Sequence, residues 1–399
     1  MPRYGVLLVG GKRTHQESYG RAFAADPRCR VVAVADEPGL SEYREGLNRL
    51  LAHEMGVPYL VLEDALRRDD IDIVSGCADV ERRGRVHALC AQAGKHLYLD
   101  KPLAGSVDDA RSIAVAVATA GVASQMYTHV TLDWARRAKT ALESGAIGEL
   151  TGIHADMLMA KGRAGTAPAD LVRHETESPE LFTFVEAKRE LFDMGVYPIA
   201  LIHWLTDLRA SSVSAVTGNY FFAEHARQDV EDFGALTLRL EDGTPASVSA
   251  GRIGFDSQPS GGVNRVVLTG TRGYAVFADG EPYVEVYNDD PAPHVPEPHP
   301  WDPMTFWPST QQEISLPRKR RRIPLTEPDR PAPVNLQAVD VTDFLDCLDE
   351  KRRPEVDARA AVHHVEVIMA AYRAAATGET VEVQEAKSSA ALDERPKPE

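Results

Sequence analysis

Lys95-His96-Leu97-Tyr98-Leu99-Asp100-Lys101-Pro102-Leu103 reads as a short apolar strand that ends in a charge. A brief apolar run of this kind suits a strand covered on both faces. Its end sets a lysine directly before a proline. Proline fixes its own φ and pushes the residue before it toward extended geometry. Lys101 therefore has a restricted direction, which suits a side chain that meets a ligand at the carboxyl edge of a sheet. A surface Lys-Pro turn is written in the same letters, so the flanking chain has to separate the two.

Around this segment, short apolar runs alternate with longer amphipathic ones. Tyr4–Val9, Arg30–Ala35, Ile71–Ser75, His96–Leu99 and Gly121–Met126 are expected strands. Thr14–Ala25, Glu42–Met55, Arg83–Ala93 and Val107–Ala120 are expected helices between them. Strands alternating with helices pair in parallel through right-handed crossovers. Residues 1–126 are thus expected to form an α/β, doubly wound parallel sheet, whose ligands sit outside the strand carboxyl ends.

Beyond about residue 150 the pattern changes. Leu150–Met157, Ser212–Asn219, Phe233–Leu240, Ala246–Ile253, Val263–Gly270 and Tyr283–Tyr287 read as strands of a largely antiparallel open sheet. Helices are expected at Trp134–Ser144, Leu191–Leu205, Leu336–Leu348 and Ala358–Ala375. Residues 127–385 form a second, α+β domain in this reading, with helices 336–375 packing back toward the first. The Pro-rich residues 288–335 lack a period. Residues 386–399 have the composition of a disordered tail.

The 399 residues include 60 Asp and Glu against 44 Lys and Arg, a net charge of −16. A nucleic-acid surface needs a basic face, so that class is disfavoured. The basic run Arg318-Lys319-Arg320-Arg321-Arg322 reads as a solvated loop. Cys29, Cys77, Cys90 and Cys347 have no metal or redox spacing, so no metal is expected. No apolar run is long enough for a membrane span, and the N-terminus lacks a basic stretch followed by an apolar one. A cytoplasmic protein is expected.

The first expected strand ends in Gly10-Gly11 and the second in Asp36. A glycine turn followed by an acid is the frame of a dinucleotide site. Asp36 would accept both ribose hydroxyls and repel a 2′-phosphate, so NAD is expected over NADP. The full glycine motif is absent, and Gly10 to Asp36 spans 26 residues, longer than usual. An insertion near Lys12–Ser18 explains the excess. Thr14-His15-Gln16-Glu17 reads as a capping box that starts the helix at Thr14. Helix amides there, with Lys12, Arg13, Thr14 and His15, are candidates to hold a pyrophosphate. Further on, Asp193 and Tyr197 are four apart, on one helix face. A carboxylate and a phenol there suit a polyol, and a cation such as Lys101 would lower the phenol's pKa. Single histidines such as His87, His154 and His203 read as structural.

Together these residues resemble the Gfo/Idh/MocA oxidoreductases. The likeness is carried by Gly94-Lys95-His96 leading to Asp100-Lys101-Pro102, Glu143-Ser144-Gly145-Ala146-Ile147-Gly148-Glu149-Leu150, Asp193-Met194-Gly195-Val196-Tyr197, and Ala371-Tyr372-Arg373-Ala374-Ala375. The resemblance implies a Rossmann domain, a C-terminal sheet that makes a homodimer or homotetramer, and hydride transfer between nicotinamide and a sugar or polyol. It implies Lys101, Asp193 and Tyr197 as catalytic residues, the tyrosine pointing to the branch with glucose-fructose oxidoreductase and dihydrodiol dehydrogenases. It adds Ala78, Asp79, Asp100, Lys101 and Pro102 to the cofactor residues. Ala78-Asp79-Val80-Glu81-Arg82-Arg83 replaces the usual Thr-Pro-Asn-x-x-His, and Thr128-His129 the usual Asn-Arg. His129, Lys161 and Arg163 are candidates to touch substrate.

Two other functions fit the same residues. One is an enzyme that retains NAD and cleaves or epimerises through transient oxidation. The other is a sensor or scaffold that kept the fold without turnover.

Overall fold

The computed structural model describes residues 2–160, 175–184, 187–253, 262–278, 283–288, 319–324 and 336–383. The first domain runs β1 (Tyr4–Val9), α1 (Gln16–Ala25), β2 (Cys29–Asp36), α2 (Glu42–Met55), β3 (Tyr59–Val61), α3 (Leu62–Leu66), β4 (Ile73–Gly76), α4 (Arg83–Gln92), β5 (His96–Leu99), α5 (Val107–Ala120) and β6 (Ser124–Met126). The six strands are parallel in the order β3-β2-β1-β4-β5-β6, the doubly wound arrangement expected. Register aligns their ends: Val9 pairs with Ala35 and Gly76, Gly76 with Leu99, and Leu99 with Met126. The residues that follow, Asp36, Gly10, Cys77, Asp100 and Tyr127, therefore form one row along the carboxyl edge. That row is the floor of the site.

The second domain adds α6 (Asp133–Glu143), β7 (Leu150–Ala160), α7 (Glu190–Met194), α8 (Val196–Thr206), β8 (Ala210–Gly218), α9 (Ala223–Arg227), β9 (Phe233–Leu240), β10 (Pro245–Ile253), β11 (Gly262–Gly270), β12 (Gly273–Ala278), β13 (Tyr283–Asn288) and β14 (Lys319–Pro324). The chain continues with α10 (Leu336–Glu350), α11 (Ala358–Thr377) and β15 (Val381–Glu382). Its nine-stranded sheet has the order β14-β13-β12-β11-β7-β10-β9-β8-β15 and is antiparallel except where β10 meets β7. One face buries Ile153, Ala155, Leu236, Leu238, Val248, Val266 and Leu268. The strongly apolar α8 packs against that face.

Three expectations change. The helix expected over 191–205 is broken at Gly195, where an added Cβ would lie 2.4 Å from the Leu191 carbonyl oxygen. Asp193 and Tyr197 thus sit on successive helices. Helix α1 starts at Gln16 rather than Thr14: Thr14 Oγ1 donates to the Gly11 carbonyl and accepts from the Gln16 amide, while the Glu17 carboxylate takes the Arg13 amide. Lys319–Arg322 belong to the edge strand β14, not a loop; a basic edge strand resists unwanted pairing. Most of residues 288–335, all of 386–399, and Lys161 and Arg163 lie outside the described residues.

Candidate active site

Asp100, Lys101 and Pro102 leave the end of β5 and enter a cleft of about 730 Å³ between the two domains. The Lys101–Pro102 peptide is cis. Arg83, at the start of α4, holds this turn from below. Its Nε donates to the Ala78 carbonyl at 2.9 Å, its Nη1 to the carbonyls of Asp100 (3.0 Å) and Pro102, and its Nη2 to Asp100 Oδ2 at 2.8 Å. Asp100 Oδ1 accepts from the Tyr19 hydroxyl at 2.9 Å and lies 2.8 Å from His15 Nδ1. Burial alone would raise the Asp100 carboxyl, but His15 and Arg83 outweigh it and hold it below the ordinary range. Asp100 is therefore an ionised anchor that leaves Lys101 as the side chain projecting into the cleft.

The opposite wall comes from α7, α8 and β10. Lys101 Nζ donates to both the backbone oxygen and Oδ1 of Asp193, each at 2.7 Å. Asp193 Oδ2 accepts from Arg252 Nη2 at 2.9 Å, and Arg252 also pairs with the buried Glu190. Burial would raise the Asp193 carboxyl; the charges of Lys101, Lys188 and Arg252 win and hold it well below its usual value. Lys101 is 3% exposed, and burial lowers its pKa against the pull of Asp193 and Asp100.

Lys101 Nζ sits 4.8 Å from the centroid of the Tyr197 ring. The expectation that it lowers the phenol's pKa is corrected: burial, with Tyr127 and Asp193 adding to it, raises that pKa well above 10. A desolvated phenol facing carboxylates keeps its proton. Tyr197 lines the cleft. His129 does not line it. It lies behind Tyr197, stacked at 4.3 Å between ring centroids, and burial holds its pKa down at about 3. His87, His154 and His203 also lie off the cleft, and no group of three or more His, Cys, Asp or Glu among the described residues is placed to hold a metal.

At the other end of the cleft the expected cofactor residues divide. Arg13, Thr14, His15, Ala78 and Asp79 line it, with Asp100, Lys101 and Pro102. Gly10 and Gly11 allow close packing beneath: Gly10 has φ +95°, and a Cβ on Gly11 would lie 2.4 Å from Asn48 Oδ1. Lys12 turns away to pair with Glu54. Asp36 is also displaced from its expected role. It is 1% exposed, with Oδ1 held by Arg82 Nη1 at 2.8 Å and Oδ2 by Asn48 at 3.0 Å. In its place Ser41, Tyr43 and Arg44 face the cleft, and Arg13 Nη1 donates to the Tyr43 hydroxyl at 2.8 Å. A dinucleotide fits the cleft's size, the glycine turn and the cations Arg13 and Arg44. It does not find a free Asp36 carboxylate. The sequence reading missed Arg83, Arg252 and Glu190, whose letters alone look like surface charge.

The family models divide the chain at the same place as the two sheets. Residues 4–128 match the oxidoreductase family with an NAD-binding Rossmann fold, and residues 135–276 match the GFO/IDH/MocA C-terminal domain. YrbE, an uncharacterised oxidoreductase of Bacillus subtilis strain 168, is 25% identical over 57% of this chain and 61% of its own length. The scyllo-inositol 2-dehydrogenase (NAD(+)) of the same organism is 25% identical over 62% of this chain and 66% of its own. Both alignments span less than two thirds of those relatives. A levoglucosan dehydrogenase, solved with NADH and levoglucosan, superposes with a TM-score of 0.72 at 18% identity, covering 96% of this chain and 100% of its own; the likeness is one of fold. With a parallel first sheet, a largely antiparallel second one and both family models in chain order, the protein belongs to the GFO/IDH/MocA oxidoreductase family and carries its NAD-binding Rossmann fold.

Proposed function

We propose that the protein is a nicotinamide-dependent oxidoreductase, using NAD, that interconverts a hydroxyl and a carbonyl on a sugar or related polyol. One observation carries the reading: an ammonium from the first domain, Lys101, and a proton-bearing phenol from the second, Tyr197, reach the same cleft beside one carboxylate. A bound nicotinamide would supply or accept the hydride. The protein's part is to bind, orient and move a proton.

Tyr197 keeps its proton and donates a hydrogen bond to the oxygen on the reacting carbon. Lys101 stabilises negative charge building on that oxygen. Of the two groups, Lys101 has the lowered pKa, so it releases and regains a proton more readily. Asp193 fixes Nζ through two 2.7 Å bonds, and Arg252 fixes Asp193. The paired rings of Phe182 and Phe192, tilted with centroids 4.3 Å apart, narrow the apolar side of the cleft against water. With Asp36 held by Arg82, ribose recognition falls to Ser41, Tyr43 and Arg44.

The test is NADH-linked turnover on a panel of sugars and inositols, with Lys101→Ala beside the parent. Loss of at least three orders of magnitude in kcat, with NADH binding retained, is expected. Turnover near the parent rate in Lys101→Ala ends the proposal. We further propose that copies of the chain associate through the outer face of the second sheet, where Val216 and Tyr274 are exposed. A monomeric mass in solution would refute this.

A further inference from the structure

We infer that the substrate half of the cleft selects an anionic sugar, one bearing a carboxylate or phosphate, and that Lys188 meets that charge. The inference rests on the oxidoreductase reading above and narrows its substrate class.

The argument is one of donors and acceptors. Neutral polyols present hydroxyls that must donate as well as accept, so their sites need free acceptors. Here, among the described residues, each oxygen of the lining carboxylate already carries a cation. Asp193 is the carboxylate lining this half of the cleft, and Lys101 holds its Oδ1 at 2.7 Å while Arg252 holds its Oδ2 at 2.9 Å. Glu190, behind it, is occupied by Arg252 and by His225 at 3.2 Å. The donors are in excess. Lys101, Lys188, Arg189 and Arg252 all line this half.

Three of these cations are neutralised at hydrogen-bond distance or close to it. Lys101 and Arg252 share Asp193, and Arg189 donates to the Leu181 carbonyl at 2.8 Å and faces Glu231 at 3.4 Å. Lys188 is different. Its ammonium lies 3.8 Å from Asp193 Oδ1, an oxygen that Lys101 already holds, and it has no closer acidic partner among the described residues. Its side chain is 50% exposed. Among the described residues the positive charge left without a close acidic partner therefore falls on Lys188, next to the ammonium assigned to the chemistry. A ligand whose acceptors outnumber its donors completes that arrangement, and a carboxylate or phosphate is such a group.

The experiment uses matched sets: D-glucuronate, D-glucose 6-phosphate and D-glucose, and the corresponding galactose set, each with NAD or NADH. Thermal shift and initial rates are read on the parent and on Lys188→Gln. At least one anionic member is expected to raise the melting temperature and to exceed its neutral parent about tenfold in kcat/KM. Lys188→Gln is expected to raise that member's KM about tenfold and change kcat less. The carboxylate and phosphate members separate the two anion types. Neutral sugars that match or beat their acids, an acid indifferent to Lys188→Gln, or no response from any member overturns the inference. NADH binding with neutral turnover leaves the oxidoreductase reading standing and removes only this one; absence of any NADH shift or turnover removes both.

Discussion

Replacing Arg83 with methionine tests how the site is held. The guanidinium is 5% exposed and makes four hydrogen bonds, to the carbonyls of Ala78, Asp100 and Pro102 and to the Asp100 carboxylate. Methionine keeps most of the side chain's length, so a cavity is not the main cost. Breaking a buried ion pair from one side costs about 3–5 kcal/mol, because the remaining charge is uncompensated. Asp100 keeps Tyr19 and His15, which places this case near the low end, roughly 3 kcal/mol. The three carbonyls then lose their donor, and even one left dry adds about 1 kcal/mol. A loss of about 4 kcal/mol, with a urea slope of about 2 kcal/mol/M, moves the midpoint by about 2 M. Circular dichroism against urea reads it, with Arg85→Met as control: Arg85 is the neighbouring arginine but its side chain is 60% exposed, against Glu37. Turnover is expected to fall about a hundredfold in Arg83→Met, since Lys101 depends on this turn for its aim. If Arg83→Met and Arg85→Met shift the midpoint equally, the idea that Arg83 anchors the Lys101 turn is wrong.

Tyr197→Phe removes the phenol proton while leaving the ring against Lys101 and His129, so kcat is expected to drop by 10²–10⁴ with NADH affinity kept; steady-state kinetics and a binding titration check it. Because the Lys101 pKa is lowered from 10.5 and that of Tyr197 raised above 10, alcohol oxidation is expected to rise with pH along a limb below 10.5; a limb above that value assigns the proton step to Tyr197 instead. Asp340 is 1% exposed and burial pushes its pKa up to about 7, so its contribution to stability is complete below the unfolded value near 3.8 and is lost as pH rises through 7. Melting temperatures of Asp340→Asn are therefore expected to gain on the parent between pH 5 and pH 8, and a constant difference contradicts this. Gly195→Ala drives a Cβ to 2.4 Å from the Leu191 carbonyl oxygen, so a loss of about 1–3 kcal/mol with impaired turnover is expected in urea unfolding and rate assays.

The parts of the fold readable from sequence were those written in local pattern. Strand β5 with Asp100-Lys101-Pro102 and the helices α10 and α11 follow from short-range periodicity and proline chemistry. The parts that were not readable depend on partners distant in the chain. Asp36 looks like a ribose acceptor until Arg82, 46 residues away, is seen to hold it. Tyr197 looks like a group tuned by a cation until its burial is known, because a sequence does not give desolvation. Lys319–Arg322 looks like a loop because charge runs usually are, yet the same charges suit an edge strand. Arg83 and Arg252 carry no local sign that they are interior.

The last helices of the chain explain why two domains present one geometry. Glu366 on α11 is 4% exposed and accepts from Arg111 of α5 at 2.9 Å and from Arg209, beside the second sheet, at 2.8 Å. One buried carboxylate thus ties both domains. Asp340 on α10 takes the Tyr98 hydroxyl from β5 at 2.7 Å, and the Met126 amide at the end of β6 donates to the Val356 carbonyl at 2.8 Å. Tyr372, also on α11, donates to Glu231, whose carboxylate in turn accepts the Leu191 amide of α7. The strand that carries Lys101 is thus bound to α10, and the helix that carries Asp193 is linked through Glu231 to α11. A contact of 2.7 Å joins the two domains at the site. In the proposed reaction this pre-organisation would supply a rate advantage in charge stabilisation, since the groups would need no reordering as the reacting oxygen gains charge.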